Sequence, residues 1–263
     1  MSAASWADLR PRVVSGLAMV AVGALAIWLG GKAFGALAVL VGALMIWELA
    51  SMTALPGRSR LEPVLLAVLA AAAMAAVLIY PETVTRALLL APVILGALMP
   101  RRDRLIFAAY AFAVMAASYA LIYMRLHQGA VVILWIIVLV VVSDVAGYFA
   151  GRMLGGPKFW PRVSPKKTWS GTLAGWLGGA VVGWLFTPAG AGPMLVFLTP
   201  LLAFAGQMGD IAESAIKRRM GVKDSSALIP GHGGVLDRFD ALVGAMLVLL
   251  IVVQFVPLPF PRG

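Results

Sequence analysis

The chain has 263 residues, of which 62% are hydrophobic and only 12% charged, against about 25% charged in an average soluble domain. Mean hydropathy is +0.97, which excludes a water-soluble globular fold, and the lack of cysteine excludes disulfide and thiol chemistry. The net charge of +10, in a chain this apolar, reports loop topology and contact with anionic lipid rather than nucleic-acid binding.

Apolar runs near twenty residues long, parted by short polar loops, suit helices crossing a hydrocarbon core of about 30 Å. No segment shows the period-2 alternation of a membrane β-barrel. The expected fold is therefore all-α and polytopic, with about nine transmembrane helices at 13–30, 33–51, 61–80, 84–99, 105–124, 130–150, 171–187, 193–208 and 241–256. The first run follows Arg10 and Arg12, and its Ala24-Leu25-Ala26 mimics a signal-peptide cleavage site. The run continues past that triplet and more spans follow, so it reads as a retained first helix. The second span carries Glu48 after Trp47, read as a structural acid near a helix end rather than a proton-coupling group.

Loop charge orients the chain. With the N-terminus inside and the spans alternating, only Lys32, Arg86, Arg125 and Arg262 fall outside, leaving 17 of the 21 basic residues inside. That bias places 151–170 and 209–240 on the cytoplasmic side of an inner membrane. Residues 1–124 carry short, plain loops and read as scaffold. Residues 130–257 read as the catalytic half of one membrane domain spanning 1–263. On the seventh span, Gly171, Gly175, Gly179 and Gly183 recur every fourth residue. They make a smooth face for close helix approach, either inside one protomer or as the seam of a homodimer.

Four stretches carry chemistry. Asp144, in Ser143-Asp144-Val145-Ala146-Gly147-Tyr148, falls near the end of an apolar span. A carboxylate there is costly; it is either functional or hydrated at headgroup depth. Lys166 and Lys167 follow Pro165 in a short loop. Lysine is a compact point charge for phosphate, though a basic loop can equally bind acidic lipid. In Gly209-Asp210-x-x-Glu213-Ser214-x-x-Lys217-Arg218, helical spacing brings Asp210, Ser214 and Lys217 to one face. That face suits a metal-bound phosphate or, alternatively, an interfacial amphipathic helix. Finally, Pro230-Gly231-His232-Gly233-Gly234 precedes Asp237, Arg238 and Asp240. Its glycines let backbone N–H groups approach an anion, while one aspartate could merely cap the last helix.

These motifs join into a pattern over 214–240: Ser214-x-x-Lys217-Arg218, Lys223-Asp224, Pro230-x-His232-Gly233-Gly234 and Asp237-Arg238-x-Asp240. It resembles the signature of the phosphatidate cytidylyltransferases, or CDP-diacylglycerol synthases, and the Ser143–Tyr148 and Ser164–Trp169 stretches resemble that family too. Ser170 departs from it, since many members carry glutamate there. The resemblance implies a nucleotidyltransferase of phospholipid biosynthesis. It would make CDP-diacylglycerol and pyrophosphate from CTP and phosphatidate with Mg²⁺, among membrane lipids. It further implies Asp210 and Asp237 as metal ligands, joined by Asp144 and Asp240, with Lys217 and Arg218 beside Asp210 and Asp237 in catalysis. Lys166, Lys167, Ser214, Lys223, His232, Gly233, Gly234 and Arg238 would bind substrate. The other readings are a CTP-dependent lipid kinase and a membrane transporter. Against a transporter, the polar residues gather on one membrane face, and no inverted repeat is visible.

Overall fold

In lipid a backbone must satisfy its own hydrogen bonds, and this chain does so almost wholly with helices. The computed structural model describes residues 3–80, 83–189, 192–258 and 260; Arg262, counted above among the outside cations, lies outside them. The helices are α1 (Ala3–Leu29), α2 (Gly31–Met52), α3 (Leu61–Ile79), α4 (Thr83–Ala87), α5 (Ala91–Leu98), α6 (Arg104–His127), α7 (Ala130–Met153), α8 (Trp169–Phe186), α9 (Leu195–Met220) and α10 (Leu236–Phe255). One small antiparallel hairpin interrupts them, β1 (Lys158–Trp160) and β2 (Ser164–Thr168), with Lys158 opposite Thr168.

The all-α, polytopic expectation holds at that level. Among the described residues, six helices are long and apolar enough to cross a membrane: Arg10–Leu29 within α1, then α2, α3, α6, α7 and α9. The other three expected spans are helices that fall short of that standard for different reasons. The fourth is broken into α4, a 3₁₀ turn at Leu88–Leu90 and α5, with Pro92 in the first turn of α5, where a missing N–H costs least. The seventh, α8, has 18 residues rich in glycine and tryptophan. The ninth, α10, opens on Asp237, Arg238 and Asp240. The eighth runs further than expected, as α9 continues to Met220.

The chain divides into two units. The first comprises Met1–Ile122 and Arg219–Phe239; the second comprises Tyr123–Arg218 and Asp240–Gly263. In the first, Ile46, Leu49, Leu66, Met74, Phe107 and Met115 form a fully buried core. Arg101, buried beside it, donates to the carbonyls of Gly96 (2.6 Å) and Ala50 (3.0 Å), closing the end of α2. Arg219 pairs with Asp103 at 2.6 Å, and Arg102 donates to the Met220 carbonyl at 2.9 Å. These contacts fasten the stretch after Arg218 to the loop before α6.

In the second unit, Trp135, Ile133, Ile136, Leu139 and Leu195 are fully buried. The glycine face of α8 is occupied within this unit. A Cβ at Gly171 would meet the Gly147 carbonyl oxygen of α7 at 2.5 Å, and one at Gly179 would meet Leu139 and Ala203 at 3.3 Å. The stripe therefore lets α7 and α9 pack against α8, and it supplies no argument for a homodimer.

Candidate functional site

In the second unit, β2 decides where the two lysines go. Successive side chains of a strand point to opposite faces, so Lys166 is exposed while Lys167 turns inward. The Lys167 ammonium lies 2.5 Å from Asp210 Oδ2 and donates to the Gln207 carbonyl at 3.2 Å. Gln207 is itself fixed, accepting from Trp176 Nε1 at 3.0 Å and donating to the Thr172 carbonyl at 3.2 Å. Thr168 ends the strand and caps α8, accepting the Gly171 N–H at 3.2 Å.

Along α9 the expected shared face is present. Ser214 donates to Asp210 Oδ1 at 3.3 Å, one turn apart. Lys217 is drawn to the fully buried Glu213 at 2.5 Å, whereas Arg218 is exposed. Asp240 stands just before the expected ninth span and is half-buried. Burial, then the charges of Asp210 and Asp144, push its carboxyl from 3.8 up to about 7. The Ala241 N–H, donating to it at 2.8 Å, and the charge of Lys217 pull the other way. Asp240 thus lies within reach of the charges of both Asp210 and Asp144. Among the described residues, no three acidic or histidine side chains close tightly enough to enclose a metal ion unaided.

In the first unit the glycine-rich segment is a defined loop. Ile229, Pro230, Gly231 and His232 form a tight turn in which the His232 N–H donates to the Ile229 carbonyl at 2.9 Å. Proline at its second position and Gly231 at φ +76° at its third are what a type II turn demands. Two carboxylates then hold the loop. Asp237 Oδ2 accepts from the Ser225 N–H (2.9 Å), the Ser225 hydroxyl (2.9 Å) and the Gly234 N–H (2.7 Å). Glu48, reaching in from α2 and fully buried, accepts four more. They come from Ser226 Oγ (2.6 Å) and Val235 N–H (2.8 Å) at Oε1, and from Leu236 N–H (2.6 Å) and Ser225 Oγ (3.2 Å) at Oε2. A side chain at Gly234 would collide with both Ser225 and Glu48.

Asp237, expected as a metal ligand, has at least Oδ2 engaged in shaping this loop. Lys223 and Arg238 are exposed, and with His232 and Gly233 they line a cavity of about 640 Å³. Of the expected residues, Lys167, Asp210, Ser214, Lys217, Asp144 and Asp240 gather in the second unit. Lys223, His232, Gly233, Gly234, Asp237 and Arg238 gather in the first. Sequence reasoning passed over Gln207, Ser225 and Ser226, and gave Glu48 no link to the loop. An acid inside an apolar span was the only signal for Glu48. The neutral residues left none.

The model of the cytidylyltransferase family matches residues 10–256, nearly the whole chain. The chain belongs to the cytidylyltransferase family. Within that family it is similar to the phosphatidate cytidylyltransferase of Brucella suis biovar 1 (strain 1330), at 47% identity over 129 residues, 47% of this chain and 47% of the relative. The enzyme of the same name from Helicobacter pylori (strain ATCC 700392 / 26695) is 42% identical over 130 residues, 48% of each chain. That of Staphylococcus saprophyticus is 35% identical over 151 residues, 54% of this chain and 58% of the relative. Each match spans about half the length of the curated relative. The family membership of this chain thus rests on the long family match, and the named relatives match it over a shorter stretch.

Proposed function

We propose that the chain is a phosphatidate cytidylyltransferase, joining CTP and phosphatidate into CDP-diacylglycerol and pyrophosphate. The observation that carries this reading is the charge cluster of the second unit. There Lys167 of β2 is seated on Asp210 of α9, and Asp240 near the start of α10 is raised by burial and by Asp210 and Asp144. The shared name of the relatives points the same way.

The chemistry asks little of a general base. A phosphomonoester has a second pKa of about 6 and is largely dianionic at neutral pH. Its oxygen attacks the α-phosphorus of CTP, and the bond from that phosphorus to the bridging oxygen of the β-phosphate breaks. Pyrophosphate leaves with the electron pair, and no proton need be abstracted. The obstacle is repulsion between two polyanions, which fixed cations relieve. Lys167 supplies a positioned ammonium, held by Asp210 and the Gln207 carbonyl. Arg218 offers an exposed guanidinium, and Glu213 keeps Lys217 close to the helix. Asp237 and Glu48 keep the His-Gly-Gly loop in one shape.

Asp240 feels the charges of Asp210 and Asp144, and Mg²⁺ takes few protein ligands and keeps room for phosphate oxygens and water. Asp210 and Asp240, with Asp144, are the residues that would hold it; when bound it neutralises charge on the departing pyrophosphate. Both polar stretches, 151–170 and 209–240, face the cytoplasm where CTP is found. The N-terminus lies inside, and nine helices cross the inner membrane. A phosphatidate headgroup at the interface would then meet helix ends while its acyl chains stay in lipid.

The test is purified protein in detergent with CTP, Mg²⁺ and dioleoyl phosphatidate. CDP-diacylglycerol and pyrophosphate in equal amounts are expected. CDP with a phosphorylated lipid alcohol, when a lipid alcohol replaces phosphatidate, would replace this reading with a kinase. No turnover of either lipid would reject both.

A further inference from the structure

The cavity of about 640 Å³ in the first unit has one wall that the signature at 214–240 does not supply. Arg12 of α1 lines it, together with Lys223, Arg238, Asp224, His232 and Gly231. Three cations therefore face one carboxylate. All three are exposed, and among the described residues no carboxylate forms an ion pair with any of them. Unpaired cations converging on a concavity repel one another, an arrangement that an anion relieves.

The first helix is fitted to this cavity. A Cβ at Gly231 would come within 2.5 Å of Arg12 Cγ, so the turn lies directly against the arginine stem. Three residues along α1, Ser15 Oγ stands 2.8 Å from His232 Nδ1 and 2.9 Å from the Pro230 carbonyl oxygen. It also lies 2.8 Å from the Pro11 carbonyl oxygen and 3.2 Å from that of Arg12. A hydroxyl has one proton, and three carbonyl oxygens compete for it. His232 Nδ1 is held against that hydroxyl, with donor and acceptor set by the ring tautomer. With Nδ1 so engaged, Nε2 is the ring atom left for a ligand.

We propose that Arg12 and Ser15 of α1 complete a phosphoanion-binding site. Arg12 contacts the phosphate together with Lys223 and Arg238, and Ser15 positions His232. This rests on the reading of the chain as a cytidylyltransferase for the identity of the anion, either the diphosphate end of the nucleotide or the monoester of the lipid. The guanidinium provides paired donors that match phosphate oxygens. In that role Arg12 binds ligand as well as marking the cytoplasmic end of the first span.

The experiment uses full-length Arg12→Gln, Arg12→Lys and Ser15→Ala in detergent, normalised to folded protein. Two readouts are taken: calorimetric binding of inorganic pyrophosphate, and KM for CTP and for phosphatidate. The expectation is at least a tenfold weakening for Arg12→Gln, a smaller one for Ser15→Ala, and partial recovery in Arg12→Lys. A change in pyrophosphate affinity and CTP KM assigns the site to the nucleotide. A change confined to phosphatidate KM assigns it to the lipid headgroup. Should Arg12→Gln not fold, Ser15→Ala and Arg12→Lys carry the same comparison. Values within twofold of wild type for every folded variant overturn the proposal, even if turnover is normal. Pyrophosphate binding needs no turnover. Wild-type binding that is lost in Arg12→Gln, without any CDP-diacylglycerol, would sink the assigned reaction and leave the anion site standing.

Discussion

Replacing Glu48 by glutamine tests whether one buried carboxylate of α2 holds the His-Gly-Gly loop. The change keeps shape and volume but turns one acceptor oxygen into an NH₂ donor. Whichever way the amide is oriented, its NH₂ faces a backbone N–H, that of Val235 or of Leu236, at 2.8 or 2.6 Å in the native geometry. Ser225 can keep its bond to Asp237 at 2.9 Å, so its loss from Glu48 matters little. What remains is one buried N–H without a partner, costing about 1–3 kcal/mol, and the weakening of the surviving charge-assisted bonds to neutral ones, about 1 kcal/mol more. The sum is about 2–4 kcal/mol. At roughly 2–4 °C per kcal/mol for a chain near this size, Tm in detergent should fall by roughly 4–16 °C. Glu62→Gln is the control, because Arg58, its partner at 3.1 Å, is exposed in the loop before α3. Such an exposed pair is worth only about 0.2–1 kcal/mol. The assay is intrinsic-fluorescence melting of both variants beside wild type. A Glu48→Gln melt no lower than that of Glu62→Gln would refute the claim that this carboxylate holds the loop.

Other expectations follow from the second unit. Because Asp240 titrates near 7 when folded but near 3.8 when unfolded, the folded state holds an extra proton between those values. Its contribution to stability is therefore present at low pH and lost as pH rises to about 7. Metal-free protein should lose more Tm between pH 5 and 8 than Asp240→Asn does, with Mg²⁺ restoring wild type only; parallel pH profiles would contradict this. Asp210→Asn should nearly abolish turnover and the Mg²⁺-dependent rise in Tm while leaving folded protein, and near-normal rates would remove it from the site. Lys167→Arg should insert normally yet lose much of its activity, since the larger planar group no longer fits between Asp210 and the Gln207 carbonyl; Lys166→Arg should be tolerated. Equal initial rates for the two would discount the strand alternation. Reporters fused after Ser225 and after Val256 should give opposite signals, and matching signals would mean that the last helix does not cross and the count of nine is wrong.

Much of the helical layout is legible in apolar run lengths, because a membrane span is a one-dimensional constraint. It fails where length and composition conflict. The fourth run is mostly apolar, yet it breaks around Leu88–Leu90. The α9 helix carries its polar face far past the apolar stretch, which hydropathy cannot register. The chemistry-bearing residues are legible as types, and Ser214 one turn from Asp210 follows from helical period, whereas the seating of Lys167 on Asp210 does not. The supports are not. Gln207 is an ordinary polar residue until Trp176, Thr172 and Lys167 are seen around it. Ser225 and Ser226 look like loop filler until they are found between Asp237 and Glu48. Long-range pairing leaves no periodic trace, so Glu48 stands out only by its cost.

The bond from Val235 to Glu48 joins residues 187 positions apart. The catalytic signature is therefore not a portable cassette. A chimera that exchanges only 143–240 between family members would import a loop cut to one acid and seat it on another helix. An exchange made with α2 included would keep the pair together. Laboratory recombination should thus tolerate crossovers that leave Glu48 with its own loop, and variants selected for a reshaped loop should acquire compensating changes on α2.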